Sequence, residues 1–139
     1  MYSAARKAID AYAEVGVETG VAAADPHKLI LMLFDGTLAA IAKARLAMSR
    51  GEIAAKGAAI SKAIEIIDGG LKASLDVGAG GALAERLAAL YDYMLNRLLA
   101  ANLRNDTSLL DETTRLLNEL RGAWAQIGNA AATAGEAGK

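Results

Sequence analysis

The chain has no cysteine, one proline and few aromatic residues, 4% of its 139 positions. Without cysteine there is neither a disulfide framework nor thiolate chemistry. With so few aromatic and β-branched runs the usual signature of strands is missing. No block of lysine and arginine occurs, and the formal net charge is −1, so neither nucleic acid nor an anionic membrane is a favoured partner. The longest apolar run, Leu29 to Phe34, is far too short to span a bilayer, which argues against membrane insertion. Met1 to Asp10 carries Arg6, Lys7 and Asp10 with no apolar run behind them, unlike a signal peptide, so a cytoplasmic location is expected.

Catalytic patterns are absent as well. The sequence has no Walker loop, no Gly-x-Gly-x-x-Gly and no Gly-x-Ser-x-Gly. The single histidine, His27, stands two residues after Asp25 in the first turn of an expected helix, where a solvated side chain is the simplest reading. A di-iron bundle needs Glu-x-x-His pairs, and there are none. Asp35, Asp92, Asp111 and Glu112 form no repeated inward acid pattern. Neither an enzyme nor a cofactor or metal protein is expected.

What is present is alanine, leucine and a 3.6-residue rhythm. The composition is 54% hydrophobic and 22% charged, enough for a folded core, and one domain is expected over residues 1–139. Ile9, Tyr12 and Val15 share a face in a short helix near residues 2–14, followed by a linker to Ala24. Asp25-Pro26 is a strong helix start, Asp as N-cap and Pro at the first helical position. From there Ile30, Leu33, Phe34, Leu38, Ile41 and Met48 form a stripe that Arg50-Gly51 closes.

The second stripe comprises Ile53, Ile60, Ile64, Ile67, Leu71 and Leu75, with Gly57 and the Gly69-Gly70 pair inside it. The pair marks a bend or a close helix approach. Val77 to Gly81 then reads as a flexible link. The third helix runs from about Ala82 to Arg104, with Leu83, Leu87, Leu90, Tyr91, Met94 and Leu98 inward. Asn105-Asp106 is a turn with Asp106 as N-cap. The fourth helix carries Leu109, Leu110, Leu116, Leu117, Leu120, Trp124 and Ile127, and residues 129–139 read as a flexible tail. The expected fold is all-α, an antiparallel up-down-up-down four-helix bundle over residues 25–128, with the N-terminal helix packed outside.

The apolar pattern exceeds what such a bundle consumes, roughly three of every seven positions. Leu29 to Phe34 is apolar right around its helix, Leu95 and Leu99 fall off the third stripe, and Ile66 stands beside Ile64 and Ile67. Something must cover this surplus: a thicker core, a homodimer face, or a partner helix laid in a groove. The candidate groove residues are Leu31, Met32, Ile66, Leu95 and Leu99, with Leu71 and Leu75 near the glycine-rich end of the second helix. Ile9 and Tyr12 are candidates for a plug over that groove when no partner is bound. The free chain is expected to be a monomer or a weak homodimer.

Several blocks, taken in order and spacing, resemble one family. They are Val15-Gly16-Val17-Glu18, Asp25 to Gly36, Lys62 to Ile67, Leu90-Tyr91-Asp92-Tyr93-Met94, Ala101-Asn102-Leu103 with Asn105-Asp106, and Ala123-Trp124. Together they are similar to the flagellar secretion chaperones of the FliS family over residues 2–127. Members often carry Tyr where Phe34 stands. The resemblance implies a chaperone that binds the disordered C-terminal segment of flagellin, holds subunits apart before export, and passes them to the gate of the flagellar type III secretion apparatus. Two other readings of the bare pattern stay open: a regulatory or phosphotransfer bundle using His27, and a self-associating structural bundle.

Overall fold

The computed structural model describes residues 25–137. The expected N-terminal helix, with Ile9 and Tyr12, lies outside the described residues. Helix α1 spans Pro26–Ser49. The Asp25 carboxylate accepts from the backbone N–H of His27 (3.1 Å) and of Lys28 (3.3 Å), satisfying two of the donors that a helix start leaves free. Its other end is a Schellman cap. Gly51 takes φ 68°, the Glu52 N–H reaches back to the Ala47 carbonyl (2.9 Å), and the Gly51 N–H reaches that of Met48 (3.2 Å).

Helix α2 spans Ile53–Ile66 and passes directly into a π-helical turn, Ile67–Lys72. One uninterrupted helix to Leu75 is thus not what forms. Gly69 and Gly70 supply no side chain to stiffen the turn, and a Cβ at Gly70 would lie 3.3 Å from both δ carbons of Leu33 on α1. The glycine pair therefore marks both a close approach and a change of helical winding.

Helix α3 spans Val77–Arg104, broken at Gly81 (φ 56°, ψ −135°). The residues expected to be a flexible link form one helical turn before this break, and the regular helix begins at Ala82. A Cβ on Gly80 would stand 2.6 Å from that of Ala84, so only glycine permits the fold-back. Asn105, at φ 54°, ends α3, with the Asp106 N–H on the Ala101 carbonyl (3.1 Å). Lys56, almost fully buried, reinforces this end from α2. Its ammonium donates to the Asn102 carbonyl (3.1 Å) and to Asn105 Oδ1 (3.2 Å), placing a cation at the negative pole of the helix.

Helix α4 spans Thr107–Ala137, continuing past the apolar stripe that ends at Ile127. Half of the added residues are alanine, the best helix former.

Side-chain pairs give the relative directions. Asp35 meets Arg121 while Arg45 meets Asp111, so α1 and α4 are antiparallel. Lys56 meets Asn102 while Lys72 meets Asp92, so α2 and α3 are antiparallel. Leu33, Ile41, Ile60, Ile67, Leu71, Met94, Leu98, Leu110 and Leu117 form the sealed centre. Each such side chain contributes about 1.5–3 kcal/mol when removed from water. Thr37 and Thr113 are buried among them, their hydroxyls returned to the carbonyls of Leu33 (2.8 Å) and Leu109 (2.9 Å). The Leu29–Phe34 run is explained in part here: Leu29, Leu33 and Phe34 are buried, while Ile30, Leu31 and Met32 are half-buried.

Asp106 caps α4 by accepting from the Ser108 hydroxyl (2.6 Å) and N–H (2.9 Å). These bonds, the hydroxyl first, hold its carboxyl below the ordinary carboxylate value. The Arg45 guanidinium does the same for Asp111. A carboxylate favoured by folding stabilises fully above its unfolded pKa, and this contribution is lost as pH falls through the folded value. The thermal midpoint should therefore fall as pH drops below about 4. Asp106→Asn should make that fall shallower; an unchanged acid slope would remove Asp106 from the account.

Candidate functional site

The helices do not close over one another at the end of the bundle where α1 begins, the π-turn ends, α3 begins and α4 passes Leu120. A groove of about 550 Å³ opens there. Its floor is buried side chains: Phe34 from α1, Leu71 from the π-turn, and Ala84 and Tyr91 from α3. Half-buried Ile30, Leu75, Leu87, Leu120 and Trp124 make the walls. At the rim Leu83 is 66% exposed and Ile127 58% exposed, both large apolar side chains in water. The polar lining residues are Ser74 and Asp76 at the turn, and the Ser74 hydroxyl is bonded to the Leu71 carbonyl (2.8 Å).

Local backbone chemistry holds this end open. The π-turn rewinds the chain just before Leu75, and the Gly80–Gly81 break redirects it before Leu83. Burial pushes the Tyr91 hydroxyl up to about 12, so the floor carries no charge at neutral pH. A mostly apolar concavity of this size suits side chains of an amphipathic helix.

The Trp124 wall is pinned to the start of α1. Its indole N–H donates to the His27 carbonyl (3.0 Å), and His27 Nε2 lies 2.7 Å from the Trp124 carbonyl. The two rings stack, centroids 5.1 Å apart and planes 13° from parallel. His27 is thus half-buried and bonded across the α1–α4 seam, not the solvated first-turn residue expected from its position. Its ring nitrogen serves a carbonyl instead of being displayed as a phosphate acceptor.

A second concavity of about 640 Å³ lies between α1 and α2. Alanines make up half of its lining, beside Leu46 and Ile66, with Lys43 and Lys62 also along it, so its apolar side chains are mostly smaller than those of the first groove. Among the described residues no group of three or more histidine, aspartate or glutamate side chains is placed to hold a metal. Nor is any helix of the described residues long and apolar enough to cross a membrane.

The candidate residues named from sequence are dispersed. Leu71 and Leu75 come together in the groove at the splayed end. Ile66 is buried and borders the alanine-rich concavity. Leu31 and Met32 are half-buried elsewhere on α1, Leu95 packs half-buried against the core, and Leu99 is exposed. Ile9 and Tyr12 lie outside the described residues. Missing from that set were Ile30, Leu83, Leu87, Tyr91, Leu120, Trp124 and Ile127. Their pattern is the core stripe itself, and the stripe becomes groove only where the bundle opens. The signal available was the glycine cluster beside Leu83.

The family model described as flagellar protein FliS matches residues 8–131. The chain belongs to the FliS family. It is 54% identical to the flagellar secretion chaperone FliS of Salmonella typhimurium over 127 residues, covering 91% of this chain and 93% of that protein. The flagellar secretion chaperone FliSB of Pseudomonas aeruginosa is 50% identical over 88% of this chain and 97% of its own length. The FliS of Escherichia coli is 45% identical over 91% of each. FliS is a family of flagellar export chaperones, not of enzymes. Its match covers the whole groove, from Ile30 to Ile127.

Proposed function

We propose that this chain is a cytoplasmic export chaperone that binds the disordered C-terminal segment of flagellin, prevents its premature polymerisation and delivers it to the flagellar type III secretion apparatus. The observation that carries this reading is the apolar groove at the splayed end of the bundle, with Leu83 and Ile127 waiting uncovered on its rim. A flagellin terminus forms helices against helical neighbours in the filament and lacks them when free. The groove serves as a substitute neighbour, taking apolar anchors spaced at one helical turn. Coupled folding of such a segment buries on the order of 1,000–3,000 Å² and spends about 2–5 kcal/mol on ordering, which keeps a tight complex reversible for export. In this reading Ile9 and Tyr12 occupy apolar surface until cargo displaces them.

Calorimetric titration with a peptide from the last ~40 residues of flagellin from the same genome tests the proposal, since that length supplies the area quoted for coupled folding. The expected result is a one-to-one isotherm at micromolar or tighter affinity, with a large negative heat-capacity change. Absence of binding by the folded chain would overturn it.

A further inference from the structure

His27 and Trp124 are 97 residues apart in sequence, yet each side chain donates one hydrogen bond to the other's backbone carbonyl. The Trp124 carbonyl only accepts, so the His27 proton lies on Nε2, 2.7 Å away. The indole N–H answers with a bond to the His27 carbonyl at 3.0 Å. The stacked imidazole covers one face of the indole. The stacked imidazole and the indole N–H bond act on the Trp124 side chain itself, while the Nε2 bond ties the His27 ring to the Trp124 backbone and so holds that ring against the indole face. His27 does not itself line the groove, whereas Trp124 does, beside Ile30 and Leu120.

We infer that His27 is a positioning residue for the binding groove: it holds the Trp124 indole in one orientation as a preformed wall, so that an incoming apolar helix does not have to order it. The inference rests on the groove being the cargo site. Ordering one rotamer-rich side chain on binding weakens affinity by about two- to tenfold, and that is the effect His27 removes in advance.

Trp124 is the chain's only tryptophan, so its emission reports on the latch without a label. The experiment compares the full chain with His27→Ala, His27→Gln and His27→Phe, measuring Trp124 emission, its quenching by acrylamide and affinity for the C-terminal flagellin peptide. In His27→Ala the emission should shift to the red, quenching should rise, and affinity should fall about two- to tenfold. Gln returns a donor without the ring and Phe returns the ring without the donor, so each should recover part of the loss. Asp106→Ala, which weakens a cap at the far end of α4, should lower the thermal midpoint yet leave emission and affinity unchanged.

Wild-type affinity or unshifted emission in His27→Ala would overturn the inference, as would equal failure of all three variants without partial recovery. Leu83→Glu distinguishes the two levels. If it abolishes binding while His27→Ala binds normally, the groove stands and the latch falls. If it binds like the wild type, the groove reading fails and the latch's role in binding fails with it.

Discussion

Exchange of Leu83 for Glu is expected to lower affinity for the C-terminal flagellin peptide by at least about 30-fold, the loss typical of a hot-spot residue, while leaving the free protein folded. Leu83 is 66% exposed in the free chain, so little stability depends on it. It lies in the first turn after the Gly81 break, where a negative charge faces the amino end of the regular helix and is mildly favourable. Once a partner helix covers the groove, the same carboxylate is enclosed by Leu75, Leu87 and Ile127 with no cation among the lining residues. An ionised group buried without a partner is strongly unfavourable. Leu83→Ala should lose less, because it removes contact without introducing a charge. Calorimetry read beside an unshifted thermal midpoint checks the claim, and a loss under threefold would take Leu83 off the interface.

The largest effect on folding is expected where α1 crosses the π-turn. Leu33 is fully buried and its δ carbons fill the space over Gly70. Leu33→Ala should destabilise by about 2–5 kcal/mol, through lost burial and the cavity it leaves. Gly70→Ala should also destabilise, since its new methyl would press on Leu33 at 3.3 Å inside a core with no slack. In the double variant the methyl enters space that Leu33 has vacated. The combined loss should therefore be smaller than the sum of the two, with a coupling of about 0.5–3 kcal/mol. Gly69→Ala is the companion control. Nothing stands within 4 Å of a Cβ there, so it should not couple to Leu33. Chemical denaturation of the four proteins of the cycle measures the coupling directly, and strict additivity would show that Gly70 is not held to glycine by Leu33.

Much of this was legible in the chain. Asp25-Pro26, Arg50-Gly51 and Asn105-Asp106 mark helix ends because caps are local chemistry: a carboxylate for free N–H groups, a residue tolerant of positive φ for free carbonyls. The stripes of Leu33, Ile41, Ile60, Met94, Leu98 and Leu117 are buried as their spacing demands. Family membership was also legible, since ordered blocks of sequence carry it.

The groove was not. Leu71 and Leu75 were identified, but Leu87, Tyr91 and Trp124 carry the same periodic pattern as residues sealed in the core, and periodicity cannot say where helices separate. The π-turn at Gly69-Gly70 and the break at Gly81 made that decision, and their consequences are expressed between elements rather than within one. His27 is a sharper case. Its place after an N-cap suggested solvent, and only the antiparallel pairing of α1 with α4 set it against Trp124. The sequence by itself determined the helices, the capped ends at Asp25, Gly51 and Asn105, most of the buried faces and the family, all encoded in local patterns of residues. Only the tertiary structure decided which part of an apolar stripe is left uncovered and which side chain is latched to which, because those depend on contacts between residues distant in the chain.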